Sequence, residues 1–368
     1  MATSTLKIEQ LLRMMVTQKA SDLHIRVGVP PIYRINGELV RLLETRIEAS
    51  TMDEFLSDMM NHDQMARFER DKECDFAVGA RDMGRFRVNV FRQRGTVAMV
   101  IRHIKANIPQ FEELKLPPVI LELAERKRGL VLVTGTTGSG KSTCLASMIS
   151  HLNDIVSCNV ITVEDPIEYL HSDRKSIISQ REIGVDTNSY ANALRSALRQ
   201  DPDVLMVGEI RDLETMEIAL TAADTGHMVF ATIHTTNATE TIARVLSMYP
   251  PHQHDEVRLL LAECLAGIVS LRLLPTADGT SRVPAAEILI NTAAIREYIV
   301  DKDKTDLVEQ AIAEGHMQYK SQTFDQALLD LYGKKLISYA TALAAATNPD
   351  DFDLKVRGIS GTSERGWM

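Results

Sequence analysis

Two hydrophobic rhythms divide the chain. Up to about residue 104, apolar positions recur at helical or alternating spacing. From Gly129 they gather into short unbroken runs. Ile8, Leu11, Leu12 and Met15 fall on one face of a helix starting near Thr5. After a turn at Ser21-Asp22, Leu23, Ile25 and Val27 alternate with His24 and Arg26, the pattern of a half-buried strand. Tyr33 to Ile35 and Leu39-Val40 flank Asn36-Gly37, a pair that accepts positive φ and so favours a hairpin. A helix is predicted from about Thr51 to Glu69. Strands follow over Arg85 to Phe91 and Thr96 to Ile104, around Gln93-Arg94-Gly95. The expected product is a small mixed α/β domain, residues 1–105, with a largely antiparallel sheet.

Residues 106–118 contain Pro109, Pro117 and Pro118 and little periodicity, so they read as a linker. Beyond them, Leu130 to Val133, Val160 to Val163, Val204 to Val207 and Met228 to Ile233 suit a parallel sheet buried on both faces. Helical spacing lies between them, as at Leu145, Met148, Ile149 and Leu152, and the alternation implies βαβ units. The most apolar stretch, Leu259 to Leu274, carries Glu263 and Arg272. It reads as a core helix and not a membrane span. The chain is helical again from about Thr292. The second domain is expected over residues 119–345, with a flexible tail over 346–368.

One segment carries specific chemistry. Gly135-Thr136-Thr137-Gly138-Ser139-Gly140-Lys141-Ser142 fits G-x-x-x-x-G-K-[ST], between an apolar strand and an amphipathic helix. The glycines let backbone N–H groups turn inward toward phosphate oxygens, and the helix N-terminus adds partial positive charge. Lys141 is expected to reach the β- and γ-phosphates of ATP. Ser142 is expected to hold Mg²⁺, with Thr143 beside it.

Phosphoryl transfer also needs a held metal and an aimed water. Acidic residues stand at the ends of two apolar runs: Glu164, Asp165 and Glu168 after Val163, and Glu209 and Asp212 after Val207. This is the edge where open α/β sheets bind ligands. Glu164 is expected to orient or deprotonate the water, and Glu209 to serve Mg²⁺. Asp165 and Glu168 suit a turn or arginine pairs. Position 208 is glycine where many P-loop enzymes carry an aspartate. His227 and His234 end one strand on opposite sides, too far apart to share a metal; His234 is placed to sense the γ-phosphate. For an arginine donated to a neighbouring subunit's site, the candidates are Arg85, Arg87 and Arg102, with Arg195, Arg199 and Arg211 as alternatives.

Composition narrows the partners. The chain has 368 residues, 45% hydrophobic and 25% charged, as in ordinary globular proteins with sizeable cores. A net charge of -9 argues against a protein that tracks a nucleic acid backbone. Cys74, Cys144, Cys158 and Cys264 form no C-x-x-C pair, so buried free thiols in a reducing compartment are expected. MATSTLKIEQ lacks the pattern of a signal peptide. A cytoplasmic protein without direct membrane insertion is expected.

Together these motifs resemble the type IV pilus retraction ATPases of the secretion ATPase superfamily. Ala20-Ser21-Asp22-Leu23-His24 resembles their N-terminal signature and Gly135 to Thr143 their Walker A box. Ile161 to Tyr169 resembles the Asp box, Leu205 to Asp212 the atypical Walker B segment with Gly208, and Gly226 to Thr235 the His box. Ala294-Ile295-Arg296-Glu297-Tyr298-Ile299 resembles the retraction-type AIRNLIRE helix. It departs at Glu297, Tyr298 and Val300, and together with the tail from Asn348 to Asp353 it is more similar to the PilU-type branch than to the PilT-type.

The resemblance implies an α/β protein with a RecA-like motor domain and a smaller PAS-like N-terminal domain. It implies a ring of six identical subunits docked at an inner-membrane platform protein and acting with a PilT-type motor. It maps the family's catalytic glutamate onto Glu164 and its Walker B glutamate onto Glu209. An adaptor that binds ATP with little turnover of its own stays open at this point, as does a DNA-pumping ring.

Overall fold

A computed structural model of the chain describes residues 6–35, 37–80, 82–104 and 108–358. It divides into two compact units, Met1–Asn107 with Glu168–Leu170, and Ile108–Ile167 with His171–Met368. Both are mixed α/β.

The first unit opens with a helix, Ile8–Thr17, which buries the predicted face of Ile8, Leu11, Leu12 and Met15. Thr5 lies outside the described residues. The strands are β1 (Asp22–Arg26), β2 (Ile32–Ile35), β3 (Glu38–Arg41), β4 (Glu73–Ala80), β5 (Gly84–Gln93) and β6 (Thr96–Ile104). They form a six-stranded sheet in the order β3-β2-β1-β6-β5-β4, antiparallel at each pairing. Leu23 and Ile25 are fully buried, as their alternation predicts. Gly37 has φ +89° in the β2–β3 turn, while Asn36 is outside the described residues.

Two details of this unit differ from expectation. The helix expected from Thr51 to Glu69 is two helices, Ala49–Met59 and His62–Asp71. Asn61 breaks it. Its side chain accepts the Gln64 N–H at 2.9 Å, and the Gln64 side chain accepts the Asn61 N–H at 2.9 Å. That reciprocal cap starts a new helix. Strand β4 was not expected at all. Its core face offers only Cys74 and Phe76 as buried apolar residues, too few to set a period.

The second unit holds β7 (Gly129–Thr134), β8 (Asn159–Glu164), β9 (Ile177–Glu182), β10 (Val204–Val207), β11 (Met228–Ile233), β12 (Leu265–Pro275) and β13 (Arg282–Ile290). Their order is β13-β12-β7-β11-β10-β8-β9, parallel from β12 to β9, with β13 antiparallel to β12. The four apolar runs are β7, β8, β10 and β11, buried as expected.

The core helix expected from Leu259 to Leu274 is corrected. The helix is His254–Cys264, and the chain then becomes β12. A run buried on both sides has no period with which to tell strand from helix. Within β12, Gly267 allows the close approach to β13: a Cβ there would lie 2.7 Å from the Leu289 carbonyl oxygen.

The stretch read as a linker is largely built into this unit. Phe111 and Leu116 are buried with Val119 and Ile120 in the core beside β7, and Ser147 Oγ donates to the Pro109 carbonyl at 2.7 Å. Residues 105–107 are not described. The expected flexible tail is also corrected over residues 346–358. Asn348 caps a helix, Pro349–Val356, whose Phe352 is fully buried against Leu328, Leu331 and Ile337. Apolar content there was thin enough to look like a tail. Residues 359–368 lie outside the described residues.

Candidate nucleotide site

The phosphate loop leaves the centre of the seven-stranded sheet. Gly135 follows β7, and Gly140 is the N-cap of the helix Lys141–Ile155. Thr136, Thr137 and Gly138 are exposed between them. Gly135 has φ +140°, and a Cβ there would stand 2.4 Å from Ser139 Oγ and 2.5 Å from the Leu271 carbonyl oxygen. No other residue fits that turn without moving backbone. Ser139 Oγ is buried and lacks a partner among the described residues, a spare hydroxyl suited to a phosphate oxygen.

Lys141 is buried, and its Nζ donates to the Gly135 and Thr136 carbonyls at 2.7 and 3.1 Å. Desolvation pulls the lysine below its ordinary pKa, and the charge of Glu209 opposes that pull. Glu209 follows β10. Its Oε2 accepts from Arg211 Nη2 at 2.7 Å, and its Oε1 lies 3.2 Å from His234 Nε2. The Arg211 hydrogen bond holds this carboxyl below the usual range, partial burial works the other way, and the charges of His234, Arg211 and Lys141 add to the lowering. His234 immediately follows β11, which pairs with β10 and β7. Parallel neighbours therefore bring Lys141, Glu209 and His234 to one sheet edge, as their sequence positions predict.

Glu164 ends β8 and is 7% exposed. Its Oε1 accepts from Thr162 Oγ1 at 2.7 Å and from Gln180 Nε2 at 3.0 Å. The Gln180 amide is itself oriented, since its Oε1 accepts the His171 N–H at 2.9 Å. The sequence reading missed Thr162 and Gln180. Thr162 was recoverable as a polar residue inside an apolar run, two positions before the glutamate. Gln180 was not, because edge strand β9 has no clear pattern.

Gly208, between β10 and Glu209, is close-packed. A Cβ there would lie 3.0 Å from Tyr190 Oη, 3.1 Å from the Val163 carbonyl and 3.2 Å from Glu164 Cα. Thr232 Oγ1 donates to the Gly208 carbonyl at 2.6 Å. Tyr190 and Thr232 thus join the site, and burial drives the Tyr190 phenol upward.

The other candidates make contacts of their own. His227 Nδ1 donates within its own turn to the Ala222 carbonyl at 3.0 Å. Arg211 serves Glu209 of its own chain. Arg195 pairs with Glu214. Arg87 and Arg102 stand opposite each other on β5 and β6 of the first unit. Arg102 binds Asp22 at 2.9 Å, and Arg87 lies 3.9 Å from Asp75.

Ser142 is exposed in the first turn after the loop. Among the described residues no group of three or more His, Cys, Asp or Glu side chains gathers into a metal cage. A hydroxyl and one carboxylate beside a phosphate cradle fit Mg²⁺ instead, which takes few protein ligands and completes its shell from phosphates and water.

The chain matches the family model described as Type II/IV secretion system protein over residues 3–331. It is 42% identical to the type IV pilus ATPase PilU of Pseudomonas aeruginosa, over 96% of this chain and 92% of that protein. It is also 42% identical to the type IV pilus retraction ATPase PilT of the same organism, over 94% of this chain and 99% of that protein. Identity alone therefore does not separate the two branches. A crystal structure of the pilus retraction motor PilT with bound ADP superposes with a TM-score of 0.87 at 45% identity, covering 94% of this chain and 98% of that one. A RecA-like ATPase unit that follows a smaller N-terminal domain along the chain, with a complete phosphate loop, makes this chain an ATPase belonging to the type IV pilus retraction ATPase family.

Proposed function

We propose that the chain is a PilU-type motor subunit that hydrolyses ATP to drive pilus retraction and twitching motility. It works as a ring of six identical subunits at the cytoplasmic face of the inner membrane, against a platform protein and together with a PilT-type motor. The observation that carries the reading is the convergence of Lys141, Glu209 and His234 on one sheet edge, with Glu164 on the adjoining strand. The similarity to both PilU and PilT over nearly the whole chain supports a pilus retraction motor, and the departures at Glu297, Tyr298 and Val300 with the segment from Asn348 to Asp353 favour the PilU-type branch.

In this mechanism the loop from Gly135 to Thr143 receives the β- and γ-phosphates of ATP through its N–H groups and the helix N-terminus. Lys141 turns from its loop carbonyls to the phosphate oxygens. Mg²⁺, held by Ser142 and by Glu209 directly or through water, would offset charge on the phosphates. Glu164, fixed by Thr162 and Gln180, orients the attacking water and accepts its proton. His234 holds Glu209 and registers the γ-phosphate. Arg87 or Arg102 supplies positive charge to a neighbouring subunit's site, an effect worth ~10³–10⁵ in rate where such arginines are known.

Steady-state ATP hydrolysis tests the proposal, measured alone and with a PilT-type partner, with Lys141→Ala and Glu164→Ala as controls. Turnover that vanishes in both variants upholds the motor and its assigned roles. No turnover in either setting, or turnover indifferent to both changes, overturns it. Light scattering with nucleotide present checks the ring, and a monomer at all concentrations would remove it.

A further inference from the structure

The second unit has another polar cavity, at the opposite end of β7 from the phosphate loop. It measures about 370 Å³ and is lined by Arg126, Arg128, Asp224, Glu263, Asn291 and Arg296, among others. Gly129, the first residue of β7, brings the backbone in here. A Cβ on it would stand 2.9 Å from the Cys264 carbonyl oxygen, so β7 packs closely against the C-terminal end of the helix His254–Cys264.

Two features at this cavity call for a ligand. The first is a surplus of positive charge, three arginines to two carboxylates. Among the described residues no ion pair engages Arg126, Arg128 or Arg296. Arg126 Nη1 donates to the Ala266 carbonyl at 3.1 Å, which fixes its guanidinium. Desolvation first, and then the charge of Arg296, push the Arg126 pKa down, so these two cations face each other unfavourably. The second feature is Asn291, 7% exposed. Its Nδ2 donates to the Ala262 and Leu265 carbonyls at 2.9 and 2.7 Å. Those two acceptors fix the amide's orientation and leave Oδ1 buried without a partner among the described residues. A buried acceptor without a donor is costly.

We propose that this cavity binds a monocarboxylate that carries an N–H donor beside it, gripped by Arg126 and Arg296 with its donor directed to Asn291. The charge balance selects the ligand. Three arginines against Asp224 and Glu263 leave a single net positive charge, which suits a monoanion and opposes a dianionic phosphate. The planar guanidinium fork matches a carboxylate in two parallel hydrogen bonds. Asn291 Oδ1 then accepts from the ligand's N–H. Acidic residues of a peptide and free acylated amino acids share this chemistry.

The test uses the full chain with saturating ADP, which keeps anions out of the phosphate loop. Calorimetry titrates N-acetyl-aspartate methylamide, its neutral asparagine counterpart, inorganic phosphate, and a six-residue peptide containing the same aspartate. Saturable binding of the carboxylate probe is expected, with none for the asparagine counterpart. Arg126→Gln and Arg296→Gln should each weaken it about 10-fold or more. ATP turnover should stay unchanged in both variants, which also verifies that they fold; both arginines are exposed. A peptide that binds tighter than the small probe assigns the site to a protein partner, and equal affinity assigns it to a free small molecule; both uphold the carboxylate. No saturable binding, binding indifferent to the arginine changes, or a preference for phosphate overturns the assignment.

Discussion

His234 Nε2 lies 3.2 Å from Glu209 Oε1, while Arg211 Nη2 holds the other carboxylate oxygen at 2.7 Å. One carboxylate is thus clamped between a residue of its own loop and one from the neighbouring strand's end. The positive charge of Lys141 also favours the ionised form of Glu209. His234→Ala should leave Glu209 held from one side only. The kcat for ATP should fall by about 10- to 100-fold, less than the ~10²–10³ lost when a donor aimed at the transition state itself is removed. A wild-type kcat in steady-state assays would show that Arg211 alone suffices and that His234 senses nothing.

Gln180 acts through Glu164. Its amide is set by the His171 N–H on one side and delivers Nε2 to Glu164 on the other. Gln180→Ala should lower kcat with KM for ATP nearly unchanged, because the loop that binds phosphate is untouched. Gln180→Glu should lower it further by placing a second carboxylate against Glu164. A wild-type kcat in Gln180→Ala, or an equal kcat in Gln180→Ala and Gln180→Glu, would detach Gln180 from the catalytic carboxylate.

Gly208 stands where other P-loop enzymes have an aspartate, and the packing explains why. Two of the three atoms that a Cβ would meet belong to the backbone of Val163 and Glu164 and cannot yield cheaply. Gly208→Ala should cost about 1–3 kcal/mol, the usual range for overpacking. It should also shift Glu164 enough to reduce turnover. Adding Tyr190→Phe removes the third contact, the phenol oxygen, and should recover part of the loss. Thermal melts of the single and double variants decide this; a Gly208→Ala protein with wild-type melting and turnover would mean that the site is looser than its geometry indicates.

What could be read in the sequence follows from where the signals are strong. The phosphate loop, Glu164, Glu209 and His234 stand at or just beyond the ends of short, mostly apolar runs, and such runs locate parallel strands well. Elements lacking that contrast escaped. Strand β9 is an edge strand with Ile177 exposed, and β4 has a sparse core face. The Leu259 to Leu274 run is apolar throughout, so the point where helix turns to strand carried no pattern. Side-chain relays escaped as well, because Gln180 reaches Glu164 across strands and no spacing along the chain encodes that.

Phe352 shows how one buried residue organises an otherwise polar segment. It is fully buried in a cluster with Leu328, Leu331 and Ile337, on a helix whose first turn is capped by Asn348. Phe352→Ala should destabilise the second unit by roughly 3–5 kcal/mol. Chemical denaturation would measure it, and a change below about 1 kcal/mol would return this segment to the status of a tail.

Glu287 is the group from which a pH signature is expected. It lies on β13, buried, with its Oε1 accepting the Ala238 N–H at 2.6 Å. Burial raises its pKa from 4.5 to about 7; the charge of Glu309 adds to this, while the Ala238 hydrogen bond, Arg272 and Ser270 oppose it. Between those two values the folded chain holds a proton that the unfolded chain has released. Glu287 therefore makes stability fall as pH rises from about 4.5 to about 7, by on the order of 3 kcal/mol in all, and nothing more is lost above that. Glu287→Gln keeps an acceptor for Ala238 and cannot ionise. The variant should gain on the wild type between pH 5 and pH 8, with the larger melting-temperature advantage at pH 8. Parallel melting curves for the two proteins across that range would mean that Glu287 titrates alike in the folded and unfolded chains, and that its hydrogen bonds fully offset its burial.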